Sequence, residues 1–322
     1  MSTTTSVPTP ASPAPAAPAA GQGSPRRKNH HSKAARKQTW IALAFVAPSL
    51  FGFAVFYLWP TIRGIYISFT DYDVFTSPVF TGLANYARLF SDETFANSAR
   101  ATILYVLINI LLQTTLALGL AVLMHRLTQS TFVRSIVILP YLIANVVVAL
   151  VWFWMLDFQI GIVNQGIQWL GGNAIAFFGD ETWAIPTIAL VNTWRHLGYT
   201  ALLIFAGLQT IPKDVYEAAR TEGASEWQMF WRITVPLLRP VLALVLVITM
   251  IGSFQVFDTV AVTTSGGPAD ATRVIQYYIF DLAFQRLDFG YASAVSVVLL
   301  VVLAIIAAVQ LRLTRANESD LN

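Results

Sequence analysis

Residues able to make or break bonds are sparse in this chain and scattered along it. Cysteine is absent, which removes disulfides, thiolate metal sites, iron–sulfur clusters and thiol nucleophiles together. Histidines stand only at positions 30, 31, 125 and 196, without metal-ligand spacing. No G-x4-G-K-[ST] phosphate loop occurs, and no nucleophile stands in pattern with a base. The chain therefore reads as non-enzymatic, with no cofactor or metal of its own. What remains is a set of polar side chains inside long apolar runs: Asn145, Asn192, Arg195, Ser253, Gln255 and Asp258, with Trp152, Trp194, Tyr199 and Phe254 as ring surfaces. At membrane depth such groups turn toward a bundle interior or a watery path. Glue between helices and contact with a passing solute both fit that pattern.

The elements that must position these groups are set by composition. Of 322 residues, 56% are hydrophobic and 11% charged, and mean hydropathy is +0.60, too apolar for water-soluble cores. Uncharged runs long enough to cross a bilayer are Trp40 to Ile62, Ala101 to Met124, Ser135 to Leu156 and Phe289 to Leu311. Two more carry one charge each, Ala184 to Leu208 with Arg195 and Val241 to Val262 with Asp258. The expectation is an all-α membrane protein of six transmembrane helices in one domain, residues 39–312. A disordered Ala/Pro-rich, then basic, tail is expected over 1–38, and a short tail over 313–322. Fourteen Lys and Arg fall on one side of these crossings and five on the other, so both termini are expected in the cytoplasm. The basic residues follow this topology and form no continuous patch, which argues against nucleic acid despite the net charge of +3. Arg195 lies about eleven residues into its span, roughly 16 Å deep. It needs a partner: Asp258, at a depth mismatch of about 10 Å, helix carbonyls, or an acid from another subunit. The outer loops 63–100, 157–183 and 263–288 offer either ordinary loop packing or a docking surface.

One cytoplasmic stretch, residues 211–240, is too polar for lipid and too patterned for a linker. Asp214 with Glu217 predicts a helix start, Gly223 its left-handed end, Ser225 with Gln228 a capping box, and Pro236 the end of a second helix. Trp227, Phe230 and Trp231 at i, i+3 and i+4 form an apolar stripe. Packing under its own bundle and docking to a partner are equally open on this pattern alone.

Glu217-Ala218-Ala219, three residues, Gly223, nine residues, Ile233, one residue and Val235-Pro236 resemble the EAA loop of ABC importer permeases, with Val235 where the pattern prefers Leu. The resemblance extends over about residues 40–311. Phe56-Tyr57-Leu58-Trp59-Pro60, Gly82-Leu83-Ala84-Asn85-Tyr86, Leu139-Pro140, Thr264-Ser265-Gly266-Gly267-Pro268 and Gly290-Tyr291-Ala292-Ser293-Ala294 look like carbohydrate permease subunits of the MalF/UgpA type. That resemblance implies the type I ABC importer permease fold. It makes the 211–240 elbow a coupling helix, with Glu217, Ala218, Ala219, Gly223, Ile233 and Pro236 seated on a separate ATPase. It also implies a second MalG/UgpE-like permease, two ATPase domains (usually a homodimer) holding ATP and Mg, an extracytoplasmic solute-binding protein, and a bacterial cell membrane. The sugar stays open, disaccharides such as trehalose or maltose and glycerol 3-phosphate included. A stand-alone ion-coupled carrier is the alternative, weakened because the only acid inside a span, Asp258, is shallow.

Overall fold

The computed structural model describes residues 31–127 and 130–318, with side chains over 41–127 and 130–312. Expectations for residues 1–30 and 319–322 lie outside the described residues. The chain separates into a unit ending at Trp59 and a unit starting at Pro60.

In the first unit, α1 (His31–Phe53) runs into a π-helical turn at Ala54–Leu58. The helix starts at His31, inside the tail expected to 38, because Lys33-Ala34-Ala35-Arg36-Lys37 are strong helix formers. Phe45, Phe51 and Phe56 are largely exposed, a surface whose natural solvent is hydrocarbon.

The second unit contains α2 (Trp59–Ile67) from Pro60 on, a hairpin of β1 (Thr70–Asp71) with β2 (Val79–Phe80), α3 (Ala84–Leu89) and α4 (Glu93–Leu127). Next come α5 (Thr131–Leu142), α6 (Asn145–Met155), α7 (Ile162–Trp169) and α8 (Glu181–Leu208). The remainder is α9 (Lys213–Thr221), α10 (Glu226–Met229), α11 (Val235–Leu237), α12 (Arg239–Phe254), α13 (Asp258–Thr263), α14 (Ile275–Phe280) and α15 (Phe289–Glu318). The two-stranded hairpin is a small departure from the all-α expectation.

Among the described residues four helices are long and apolar enough to cross a membrane: Ile41–Ile67, Glu93–Leu127, Arg239–Thr263 and Phe289–Arg312. Two of the expected spans differ. The third is broken: α5 and α6 meet at a bend of 89°. Pro140 removes a donor and crowds the preceding turn, and Ile143 and Ala144 are extended. The fourth, α8, is continuous over 28 residues but is not among the apolar spans, because Asn192, Arg195 and His196 interrupt it. Its solvent is the protein: Ile188, Ala189, Ala201 and Ile204 are fully buried. Asp180 caps its start, accepting from the amides of Thr182 and Trp183.

Packing of α8 against α4 and α5 forms the centre. Gly198 sits so close to α5 that a Cβ there would lie 1.8 Å from the Val137 carbonyl oxygen. Beneath that contact Ala117, Ala121, Ile204, Leu208 and Leu238 form one apolar cluster, and a second gathers Tyr105, Ile188, Val260, Tyr278 and Tyr291. On the side opposite the 211–240 elbow, Asp92 accepts from the hydroxyls of Tyr278 at 2.5 Å and Tyr291 at 2.6 Å. Burial raises this carboxyl, but those bonds and the amides of Phe95 and Thr94 outweigh it and hold Asp92 below the usual carboxylate range. Asp281 joins Arg273 and Arg286, each at 2.8 Å. Thr272 ties the Gly-Gly-Pro loop by donating to the Gly267 carbonyl at 2.6 Å.

Candidate functional site

Two separate places carry the sequence candidates: a polar cavity among α4, α8 and α12, and the elbow of α9 to α11.

The cavity encloses about 340 Å³, within the roughly 300–1,000 Å³ range of small-molecule sites. Its wall is built where two helices break, α5 into α6 and α12 into α13. Asn145 opens α6 and Asp258 opens α13, and the Asn145 amide donates to the Asp258 carboxylate at 2.9 Å. One hydrogen bond thus joins the two broken segments. Asn145, Asn192, Tyr199, Gln255 and Asp258 line this space. Ser253 lines it too, whereas Arg195, Trp152, Trp194 and Phe254 do not. Trp152 and Trp194 pack edge to face at 5.5 Å, and Phe254 is buried in the Tyr105 cluster.

Arg195 serves the break itself. Its Nε donates to the Ile143 carbonyl at 3.0 Å and one Nη to the Tyr141 carbonyl at 3.2 Å, groups that lost their helical partners where α5 stops. His196 Nδ1 faces the Asn192 carbonyl at 2.9 Å and must donate to it, so Nε2 accepts from the other Arg195 Nη at 3.0 Å. Of the partners open to Arg195 in the sequence, helix carbonyls take the guanidinium, and no ion pair with Asp258 forms.

Sequence reasoning passed over the α4 contribution. Tyr105, Asn109 and Gln113 line the cavity and repeat at i, i+4 and i+8 along an otherwise apolar span. That polar stripe was the available signal. Asn109 donates to Ser253 at 2.8 Å and accepts from Thr193 at 3.2 Å, while Gln113 donates to Thr200 at 2.8 Å. Thr259 donates to Asn192 at 3.0 Å. These bonds join α4, α8, α12 and α13 through buried groups, a costly arrangement in hydrocarbon unless each finds a partner. Tyr141 and Tyr199 stack at 4.6 Å with 13° between planes and add an aromatic panel to the wall.

In the elbow the expected stop at Gly223 is formed. Its φ is +80°, its amide reaches the Arg220 carbonyl, and the Ala224 amide reaches Ala219, each at 3.0 Å, the paired bonds of a Schellman ending. Ser225 and Gln228 form the reciprocal capping box. Two details differ from expectation. The N-cap of α9 is Pro212, with Asp214 inside the first turn, where its charge still complements the helix dipole. Pro236 does not end the second helix: Phe230–Thr234 widens into a π-helical turn, which accommodates a residue lacking an N–H.

The elbow is braced from behind and bare in front. Glu226 bridges Arg126 at 2.9 Å and Arg220 at 3.3 Å, and Tyr216 bonds Thr234 at 3.0 Å. Met229 is buried, while Trp227 and Trp231, 70% and 51% exposed, stand edge to face at 5.6 Å. Glu217 and Ala218 are exposed; Ala219 and Ile233 are half-buried. No ring of the stripe is covered by its own bundle to the depth of Met229.

Comparison with known proteins gives one family, two relatives and two solved structures. Residues 113–317 match the family described as "Binding-protein-dependent transport system inner membrane component". The chain is 32% identical over 289 residues to the trehalose/maltose transport system permease protein MalF of Thermococcus litoralis, covering 89% of this chain and 98% of that one. It is 33% identical over 278 residues to the sn-glycerol-3-phosphate transport system permease protein UgpA of Agrobacterium fabrum, covering 83% and 92%. A bacterial ABC transporter involved in the import of the acidic polysaccharide alginate has a similar solved structure, with TM-score 0.77, 26% identity and coverage of 88% and 98%. The structure of such an alginate transporter in complex with an alginate pentasaccharide-bound periplasmic protein matches with TM-score 0.78, 25% identity and coverage of 89% and 98%.

Proposed function

Since this chain belongs to the binding-protein-dependent transport system inner membrane component family and is a permease subunit of a sugar ABC importer, we propose that its cavity forms half of the solute path and its elbow couples that path to a separate ATPase. The observation that carries the coupling role is the elbow's construction. A rigid turn at Gly223 and a capping box at Ser225 hold Trp227 and Trp231 exposed, inside the stretch between Gly223 and Ile233 that the EAA pattern frames. An exposed aromatic cluster on a braced scaffold suits a partner's groove. ATP and Mg belong to that partner, and hydrolysis occurs there.

In this reading α8 is the sixth crossing, tolerable in a membrane because protein surrounds it, and the lysine and arginine bias puts both termini in the cytoplasm. A second permease completes the path, a pair of ATPase domains sits below, and a solute-binding protein docks on the outer loops of a bacterial cell membrane. The ion-coupled carrier gains no support: Asp258, the acid it would use, is held by Asn145. Affinity purification of the tagged chain in mild detergent tests the assembly. Recovery of a second permease and an ATPase is expected; a chain that purifies alone without ATPase activity would overturn it.

A further inference from the structure

We propose that this cavity selects uncharged, polyhydroxylated solutes and discriminates against carboxylated or phosphorylated ones, an inference that rests on the importer reading above. The relatives do not settle this point, since their names span a neutral disaccharide, a phosphorylated polyol and an acidic polysaccharide.

Three features of the wall carry the proposal. Among the described residues no Lys or Arg lines the cavity, and Asp258 is the only carboxylate there. Anion sites ordinarily present a guanidinium fork or an ammonium to the ligand. The nearest candidate, Arg195, is not among those residues, and each of its three nitrogens donates elsewhere, to the Ile143 and Tyr141 carbonyls and to His196. Arg195 thus serves the α5 break and does not line the wall, and the one charged group on the wall is negative. In a medium of low dielectric that mismatch is felt strongly.

The same wall suits hydroxyl groups. Asp258 retains acceptor capacity beyond the single bond from Asn145. Gln255 is exposed to the cavity with a donor and an acceptor, and the stacked Tyr141–Tyr199 pair offers flat apolar surface to the C–H face of a ring. Alternating donors, acceptors and an aromatic plane without a cation match a neutral sugar.

The test uses the complete importer with its partner permease, ATPase and binding protein in liposomes. A panel of neutral mono-, di- and oligosaccharides is compared with matched uronates and phosphates for ATP-dependent uptake. Binding of the same solutes to the detergent-solubilised permease–ATPase complex, without the binding protein, separates selection by the cavity from selection upstream. We expect at least one neutral sugar to be taken up, and bound by the complex, at least tenfold better than its charged counterpart. Asp258→Asn should narrow that preference to less than threefold. Equal or better handling of the charged member, or a preference unchanged in Asp258→Asn, would overturn the proposal. Absence of ATP-dependent uptake across the whole panel would instead overturn the importer reading beneath it.

Discussion

Gly198→Ala probes the contact on which the cavity's geometry depends. The added Cβ would stand 1.8 Å from the Val137 carbonyl oxygen, where 3.0 Å is the closest approach real Cβ atoms show. The backbone of α5 must therefore retreat by about 1.2 Å, and no rotamer change can relieve it. Overpacking of this kind costs about 1–3 kcal/mol, at the upper end because the obstacle is backbone. Alanine recovers about 1 kcal/mol of helix propensity, leaving a net loss of roughly 2 kcal/mol, near thirtyfold in the folding equilibrium. Gly119→Ala is the matched control: Gly119 lies inside α4 with nothing within 4 Å of an added methyl, so only the propensity gain applies. Thermal unfolding of the two purified variants, followed by tryptophan fluorescence, should place Gly198→Ala about 6–12 °C below Gly119→Ala, at roughly 2–4 °C per kcal/mol. Equal melting temperatures would refute the close α5–α8 contact, and with it the placement of Arg195 against the α5 break.

Gly223→Leu, at φ +80° with open space around it, should insert normally but lose nearly all ATP-driven uptake, because the strained turn and added bulk alter the elbow; uptake at the parent rate would remove the coupling role. Asn109→Leu breaks bonds to Ser253 on α12 and Thr193 on α8, besides one to Gln113 of its own helix; at the ~0.6 kcal/mol average for interhelical bonds in membranes the loss is about 1 kcal/mol, read from the unfolding midpoint, and an unshifted midpoint would mean the network contributes nothing. Asp92, with its folded pKa below its unfolded value near 3.9, stabilises above about pH 4, and this contribution disappears as pH falls through the depressed value. The melting gap between the parent and Asp92→Asn should therefore shrink from pH 7 to pH 3; a gap that widens on acidification would contradict the tyrosine–carboxylate bonds.

Local rules served well where local chemistry decides. Gly223 and the Ser225–Gln228 box are each fixed by a few neighbouring residues, and the elbow forms around them as their types require. The α5 break does not show in the sequence because Ser135 to Leu156 is uncharged throughout; only Pro140 hints at it, and the feature that holds the break, Arg195, lies over fifty residues away. Trp152, Trp194 and Phe254 have the right chemistry for a solute path but are turned toward neighbouring side chains, a matter of helix rotation that composition does not encode. Asn109 and Gln113 were legible as a polar stripe on α4 yet acquire meaning only once α8 and α12 supply their partners.

Engagement of a separate ATPase by the elbow can be read by cross-linking, which the absence of cysteine from this chain makes site-specific. A single cysteine at exposed Glu222, carrying a maleimide photoprobe, is irradiated in native membranes, beside a second single-cysteine chain labelled at Gln168 of α7. An adduct with the ATPase subunit is expected from Glu222→Cys alone. An ATPase adduct from Gln168→Cys, or none from Glu222→Cys in an importer that still hydrolyses ATP and transports sugar, would contradict it.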